Sequence, residues 1–345
     1  MPFELLQLGE LQSPVPRNLR EVIPAGKGRV DRDEYLTRLR RGQRRGMQSL
    51  LKLVAKEHSR DWRHPSVVCI IGGGPSLAEE VGALRRLVKR GAKVLAVNKS
   101  HDWLLKRGLR CDYAALLDPK DWVAGYIDLG LAADPATRRR AGKFWAAPKY
   151  LIASQCHDDV LEKFKGRSDA YMWHAAAGLG ESEILKGEFP RELWVNIAGA
   201  SVIGLRAVGL AHGLGFRKMH LFGIDGSMKP PLIKGERPQL YAYDKPHIDR
   251  TWKAFEVKLN SGWARGFMAN HHMARSVYEF EDSMRDWDKQ ICAGRMEPFN
   301  VVVHGDPEYS AIAMVAAGMG VHADAWENEK YGNPPTYQAG LDERA

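Results

Sequence analysis

Cysteine is scarce in this chain: Cys69, Cys111, Cys156 and Cys292 are the only four in 345 residues, and they stand far apart. Neither a disulfide framework nor a zinc-ligand spacing can be drawn from them. Long apolar runs are also missing, with no stretch near the roughly 18 residues that span a bilayer. The start, Met1 to Leu6, carries no basic stretch or cleavage signal of a secretory leader, so a cytoplasmic protein without a transmembrane segment is expected. No internal repeat occurs, which excludes solenoids and propellers. Acidic residues are outnumbered, 42 Asp and Glu against 51 Lys and Arg, for a net charge of +9. Residues 1–64 alone hold 14 Lys and Arg against 8 Asp and Glu. A basic helix around 33–57 is expected there, either a solvated face or an arm for an anionic partner such as nucleic acid. The run Arg38 to Arg45 has no aromatic residue within it, which removes the stacking component of single-strand nucleic-acid binding.

What the chain does have is glycine in a telling place. From Ser66 to Leu77 an apolar, β-branched run passes into Gly72, Gly73 and Gly74 and then into Pro75 and Ser76. Glycines let backbone N–H groups approach an anion without obstruction by a Cβ, and a following helix adds unpaired N–H groups. Ser76 and Glu79 have the spacing of a capping box, which predicts a helix over 76–90. A tight turn without a ligand is the plainer reading of the same residues. A P-loop is excluded, because Pro75, Ser76 and Leu77 stand where Lys and Ser or Thr are required. A dinucleotide fingerprint is disfavoured, because its third small position falls on Leu77 and the next strand ends in Asn98 rather than an acid.

Beyond residue 65 the patterning alternates. Strands are predicted near 66–72, 93–98, 112–117, 149–154, 169–173, 218–224 and 298–303, with helices near 76–90, 100–107, 157–164, 198–214, 273–290 and 308–319. Such alternation implies a Rossmann-like α/β fold, an open and mostly parallel sheet with helices on both faces. The expected organisation is an N-terminal extension over 1–64, a nucleotide-binding transferase domain over 65–325 with an irregular insert at about 226–272, and a flexible tail over 326–345. The helix after Asn196, with Gly199, Gly204, Gly209 and Gly213, is expected to be buried close to the sheet.

Ligands of open parallel sheets sit outside the carboxyl ends of the strands. The residues ending these strands are polar: the glycine turn, Asn98, Asp118, Ser154, His174, Asp225 and His304. Each has a plain structural alternative as a cap or a loop residue.

Two resemblances attach to these residues. Gly72 to Leu77, Asn98, Cys111 to Pro119 and Gly209 to Asp225 resemble the family formerly called domain of unknown function 115, which includes archaeal 6-hydroxymethylpterin diphosphokinases and flagellar motility accessory factors. Gly72 to Ser76, Asn98, Gly223 to Asp225 and Tyr241 to Asp244, followed by His271 and His272, also resemble bacterial sialyltransferases that use CMP-sialic acid. In that comparison Gly73 replaces an asparagine, and Gly226 and Ser227 replace an aromatic pair.

The sialyltransferase resemblance implies a CMP-type nucleotide-sugar donor with no obligatory metal. It also implies a hydroxyl acceptor, His271 or His272 as general base with Asp225 beside it, and Tyr241 or Tyr243 on the phosphate. The other resemblance implies a diphosphokinase using ATP and Mg²⁺, for which Asp112, Asp118 and Asp225 would hold the metal. In either case Gly72, Gly73, Gly74, Pro75, Ser76, Asn98, Asp118 and Ser154 would bind the nucleotide, with His174 and His304 as reserve bases. A non-enzymatic nucleotide or nucleic-acid binding module is the third reading. The sugar-transfer reading ranks first, because it alone uses the Tyr241 to Asp244 and His271–His272 segments.

Overall fold

A computed structural model describes residues 3–6, 33, 37, 40–41, 47–58, 67–127, 148–175, 196–197, 199–231, 238–242, 253–259 and 261–324. The chain divides into two compact units that interleave in sequence. One takes Ile23–Gly73 and Ala83–Phe216, the other Met1–Val22, Gly74–Gly82 and Arg217–Ala345. They are called the first and second unit below.

The first strand, β1 (Phe3–Leu6), belongs to the second unit. The first unit is built on a parallel sheet of β2 (Gln48–Ser49), β3 (Val67–Ile71), β4 (Lys93–Val97), β5 (Tyr113–Leu116), β6 (Lys149–Ala153), β7 (Ala170–Ala175) and β8 (Asn196–Ile197). Strands β3 to β7 pair in sequence order, and β2 and β8 both pair with β7. All four residues of β5 and all six of β7 are buried, as are four of five in β4 and β6. Continuous rather than alternating burial marks a sheet covered on both faces, which is why these strands are runs of Val, Ile, Leu and Ala. The fold is therefore Rossmann-like α/β.

The helices of the chain are α1 (Leu50–His58), α2 (Val81–Lys89), α3 (Ser100–Lys106), α4 (Asp158–Lys163) and α5 (Ile203–Gly213), with α6 (His271–Cys292) and α7 (Ala311–Gly318) in the second unit. Helix α5 is buried along most of its length and packs on β3, β4 and β5, as its small residues predict. It begins at Ile203, later than expected, because the preceding loop is tied down by a residue of the helix itself. The buried Arg206 guanidinium donates to the carbonyls of Ile197 (2.7 Å), Ala200 (3.0 Å) and Gly199 (3.1 Å).

In the second unit β9 (Lys218–Phe222) pairs in parallel with β12 (Asn300–Val303). A separate antiparallel sheet runs β1, β10 (Lys253–Leu259), β11 (Ala264–Ala269). The seven predicted strands from 66 to 303 all form, with ends within two residues. The irregular insert does not stand as expected, because much of it is the β10–β11 hairpin. Its signal is a period-two alternation in which Phe255, Val257 and Leu259 are buried while Lys258 faces out. The tip turns at Gly262 (φ +86°), whose N–H donates to the Leu259 carbonyl at 2.9 Å.

The described parts of residues 1–64 also enter the sheets. Phe3–Leu6 pairs with β10, Gln48–Ser49 pairs with β7, and Met47, Leu50 and Leu53 are buried. The basic helix expected over 33–57 is interrupted by β2, and of its basic run only Arg40 and Arg41 lie within the described residues, both exposed. The tail over 326–345 lies outside the described residues. Among the described residues no helix is long and apolar enough to cross a membrane.

Candidate functional site

Because β3 to β7 are parallel, their carboxyl ends share one edge of the first unit. Gly72 and Gly73 follow β3 there. One strand over, Asn98 follows β4 and donates its N–H to the Ala115 carbonyl of β5 at 3.0 Å. Asn98 has φ +51°, the only positive φ outside glycine among the described residues. Asparagine tolerates that conformation best of the residues with a side chain. Its Oδ1 is buried and meets no hydrogen-bond partner. The ends of β3 and β4 are locked together by Ser100, whose Oγ lies 2.7 Å from the carbonyls of both Ile71 and Val97. A strained backbone with an unsatisfied carboxamide oxygen on a rigid support is what a ligand contact requires.

Asp118 follows β5 and is exposed. Partial desolvation by the surrounding protein pushes its carboxyl up, against the pull of Lys120. Close by, Trp122 is 61% exposed. Trp122 was missed by sequence reasoning, although the Asp118 to Trp122 stretch directly follows a strand end.

Ser154 does not reach a ligand. It is fully buried and its Oγ lies 2.9 Å from His174 Nδ1, inside the sheet unit. Burial pulls the His174 ring down to about 3, so His174 is a neutral interior histidine rather than a reserve base. Asp112 is also a correction. It precedes β5, so it stands at the edge opposite to Asp118, where it accepts the Val94 N–H at 2.9 Å and pairs with Lys93 and Arg110. One metal ion cannot join carboxylates at opposite ends of a strand. Among the described residues no three His, Cys, Asp or Glu side chains cluster as a metal site.

The second unit takes up the chain at Gly74, and here the glycine turn departs from expectation. The Gly74 N–H donates to the Gly223 carbonyl at 2.8 Å, and the Ser76 N–H donates to Asp225 Oδ2 at 3.0 Å. Pro75 has no N–H, which leaves those of Gly72 and Gly73 as the turn's other N–H groups. The N–H groups that Gly74 and Ser76 were expected to offer a phosphate are thus taken by Gly223 and Asp225 of the protein itself, while the Ser76 Oγ is buried and meets no hydrogen-bond partner. A Cβ on Gly74 would stand 2.2 Å from Asp225 Oδ2, which explains the glycine without any ligand.

The capping box is likewise absent. Pro75–Ala78 is a short 3₁₀ turn with no side-chain cap, and α2 starts only at Val81. The Glu79 carboxylate instead binds Lys229 and the Tyr309 hydroxyl. Asp225 is 3% exposed, and burial raises its carboxyl against the opposing Ser76 and Ser310 groups. Its carbonyl accepts the Ile312 N–H at 3.0 Å. Its Oδ2 braces the turn through the Ser76 N–H, while its Oδ1 is buried and meets no hydrogen-bond partner.

His271 and His272 open α6, two residues earlier than predicted, because Asn270 caps the helix by accepting the Met273 N–H at 2.9 Å. Both imidazoles are exposed, with ring centroids 3.9 Å apart. His304, by contrast, is stacked on Phe222 at 3.9 Å, and its Nε2 lies 2.8 Å from His220 Nδ1. These contacts make it a packed residue and a poor reserve base. Tyr241 is 36% exposed, and its carbonyl accepts a bond from Gln239. Tyr243 lies outside the described residues.

An open parallel α/β sheet with a glycine turn after β3 and a strained Asn98 beside it defines a Rossmann-like protein, an architecture that hosts many group-transfer enzymes. The model of the 6-hydroxymethylpterin diphosphokinase MptE-like family matches residues 43–230, more than half of the chain, and the chain belongs to that family. The match runs from before β2 to beyond β9 and stops short of His271 and His272. No curated protein matches the chain in sequence. Among solved structures, the MAf glycosyltransferase from Magnetospirillum magneticum AMB-1 is similar over 70% of this chain and 32% of its own, at 16% identity and a TM-score of 0.43. The chain thus spans about a third of that protein's length.

Proposed function

We propose that the protein is a nucleotide-dependent glycosyltransferase, moving a sugar from a CMP-sugar-like donor to a hydroxyl acceptor. The observation that carries this reading is the His271–His272 pair, two exposed imidazoles held in the first turn of a long, capped helix. Hydroxyl acceptors are too weakly acidic to attack unaided at neutral pH, and histidine is the side chain whose ordinary range suits their deprotonation. In the proposed step one imidazole takes the hydroxyl proton as the acceptor oxygen bonds to the anomeric carbon. The bond from that carbon to the phosphate oxygen breaks, and the electron pair leaves with the nucleotide. In the first unit Gly72 and Gly73 would lie against the nucleotide's phosphate, and Asn98 would take a hydroxyl or base group through its unsatisfied Oδ1.

A second reading, Mg²⁺-dependent diphosphoryl transfer from ATP to a hydroxymethylpterin-like acceptor, is favoured by the family description and by exposed Asp118 at the end of β5. Of the three carboxylates first considered as metal ligands, Asp118 is the exposed one.

The test begins with thermal shifts for CMP, CDP, UDP, GDP and ATP, with and without Mg²⁺. A ligand at 100 times its Kd stabilises by about 2.7 kcal/mol. Turnover with the matching nucleotide sugar should then persist in EDTA. The double variant His271→Ala, His272→Ala should lose about 10²–10⁴ in kcat at unchanged nucleotide affinity. Normal turnover in that variant overturns the histidine role. Activity abolished by EDTA and by Asp118→Asn, with Mg²⁺ rescuing the native protein, transfers the assignment to the diphosphokinase.

A further inference from the structure

The chain leaves β5 through Asp118, Pro119 and Lys120 and enters a 3₁₀ segment, Asp121–Ile127. This segment is firmly held. Val123 and Ile127 are buried, it packs against α3 and α4, and Lys163 donates to the Ala124 carbonyl. Asp121 Oδ1 accepts the Trp122 N–H at 2.8 Å. On this support Trp122 faces outward at 61% exposure, above Tyr241 and Trp263, the other exposed large apolar side chains among the described residues. The Lys120 ammonium stands 5.7 Å from the ring centre, and a rigid scaffold that still leaves the indole this exposed forgoes apolar burial that a ligand would recover.

The position matters as much as the exposure. The edge of the sheet carries Gly72 and Gly73 at β3, Asn98 at β4 and the Asp118–Trp122 stretch at β5, on consecutive strands. Neighbouring strands lie about 4.8 Å apart, so roughly 10 Å separates the glycine turn from the edge of β5. That is on the order of the span of a nucleotide, and Asn98 follows the strand between the two.

We propose that Trp122 is a stacking platform for a planar nitrogen heterocycle bound at this edge, and that Asn98 accepts a hydrogen bond from the same ligand. The inference rests on the nucleotide-dependent reading and adds to it the place where the ring lies. Two rings share the required chemistry, the base of a nucleotide donor and the ring of a pterin acceptor. Aromatic stacking of a base is sequence-tolerant and strong enough to be measured by truncation.

The test is calorimetric titration of the full chain and of Trp122→Ala and Trp122→Phe. CMP, ATP and free pterin serve as ring probes, and ribose 5-phosphate and pyrophosphate as ring-free probes. Trp122→Ala should weaken binding of a ring probe by about tenfold or more, Trp122→Phe should restore most of it, and ring-free probes should bind all three proteins alike. Loss confined to nucleotides assigns the platform to the donor base, and loss confined to pterin assigns it to the acceptor. If native protein binds a ring probe and Trp122→Ala binds it equally well, the inference fails while the nucleotide reading stands. Equal losses for ring and ring-free probes would also overturn it, since Trp122 would then be supporting the loop. If native protein binds no ring probe at all, both readings fall.

Discussion

Gly74→Ala adds one methyl group at a crowded glycine of the turn. The new Cβ would stand 2.2 Å from Asp225 Oδ2, 2.9 Å from Asp225 Cγ and 2.9 Å from the Gly223 carbonyl oxygen. Two of these three contacts are to a carboxylate that is itself buried and bonded to the Ser76 N–H, so it cannot swing away without leaving that donor unpaired. Overpacking costs about 1–3 kcal/mol, and disturbing a hydrogen bond to a charged group adds about 1.5–3 kcal/mol. The expected loss is about 3–5 kcal/mol, a large share of a typical total of about 5–15 kcal/mol. In a protein of this size that lowers Tm by about 4–7 °C, measured by calorimetry alongside urea unfolding. Gly213→Ala is the control. It has ordinary backbone geometry at the end of α5 with nothing within 4 Å of the new Cβ, and should be neutral or stabilising by up to about 1 kcal/mol. Combining Gly74→Ala with Asp225→Ala removes two of the three clashes, so the double variant should be at least about 1 kcal/mol more stable than the sum of the singles. A Gly74→Ala protein melting within 2 °C of the native one would refute the claim that Asp225 dictates this glycine.

Three further outcomes are expected. Arg206→Lys should cost more than about 2 kcal/mol in urea unfolding, because a single ammonium cannot span the three carbonyls that the guanidinium reaches; a cost below about 1 kcal/mol would refute the role given to that fork. Burial pulls His174 to about 3 and His220 to about 4, below the ordinary 6.5, so both fold as neutral rings. Their contribution is whole above pH 6.5 and should fade as pH drops toward 4, by about 1.4 kcal/mol per pH unit for each ring, and His174→Gln should flatten that slope in unfolding experiments across this range. Asp225→Asn should leave Tm at pH 7 unchanged or raised, since the amide oxygen can still accept the Ser76 N–H without a buried charge; a large drop would show that the ionised carboxylate is needed for the fold.

The parallel sheet was legible in the sequence because burial on both faces turns each strand into a short apolar run, and nothing distant is needed to read that. Asn98 was legible for a similar reason: the β4 run stops there, and asparagine is suited to the left-handed turn that follows. The β10–β11 hairpin also left its alternation in the sequence, but the surrounding Lys, Pro and Tyr obscured it. Other features depended on neighbours remote in the chain. Ser76 and Glu79 have the spacing of a capping box, yet Asp225 claims the Ser76 N–H from 149 residues away, and Lys229 and Tyr309 claim the Glu79 carboxylate. Ser154 and His174 both end strands on the ligand edge, but only packing decided that they face each other inside the protein. Trp122 drew no reading from the sequence, because its exposure follows from Val123 and Ile127 taking the buried positions of the same turn. Local sequence determines which segments are strands and helices, because propensity and periodicity act over a few residues. Which N–H groups remain open to a ligand was decided by tertiary structure alone, because a hydrogen-bond donor is taken by whichever acceptor the fold brings to it.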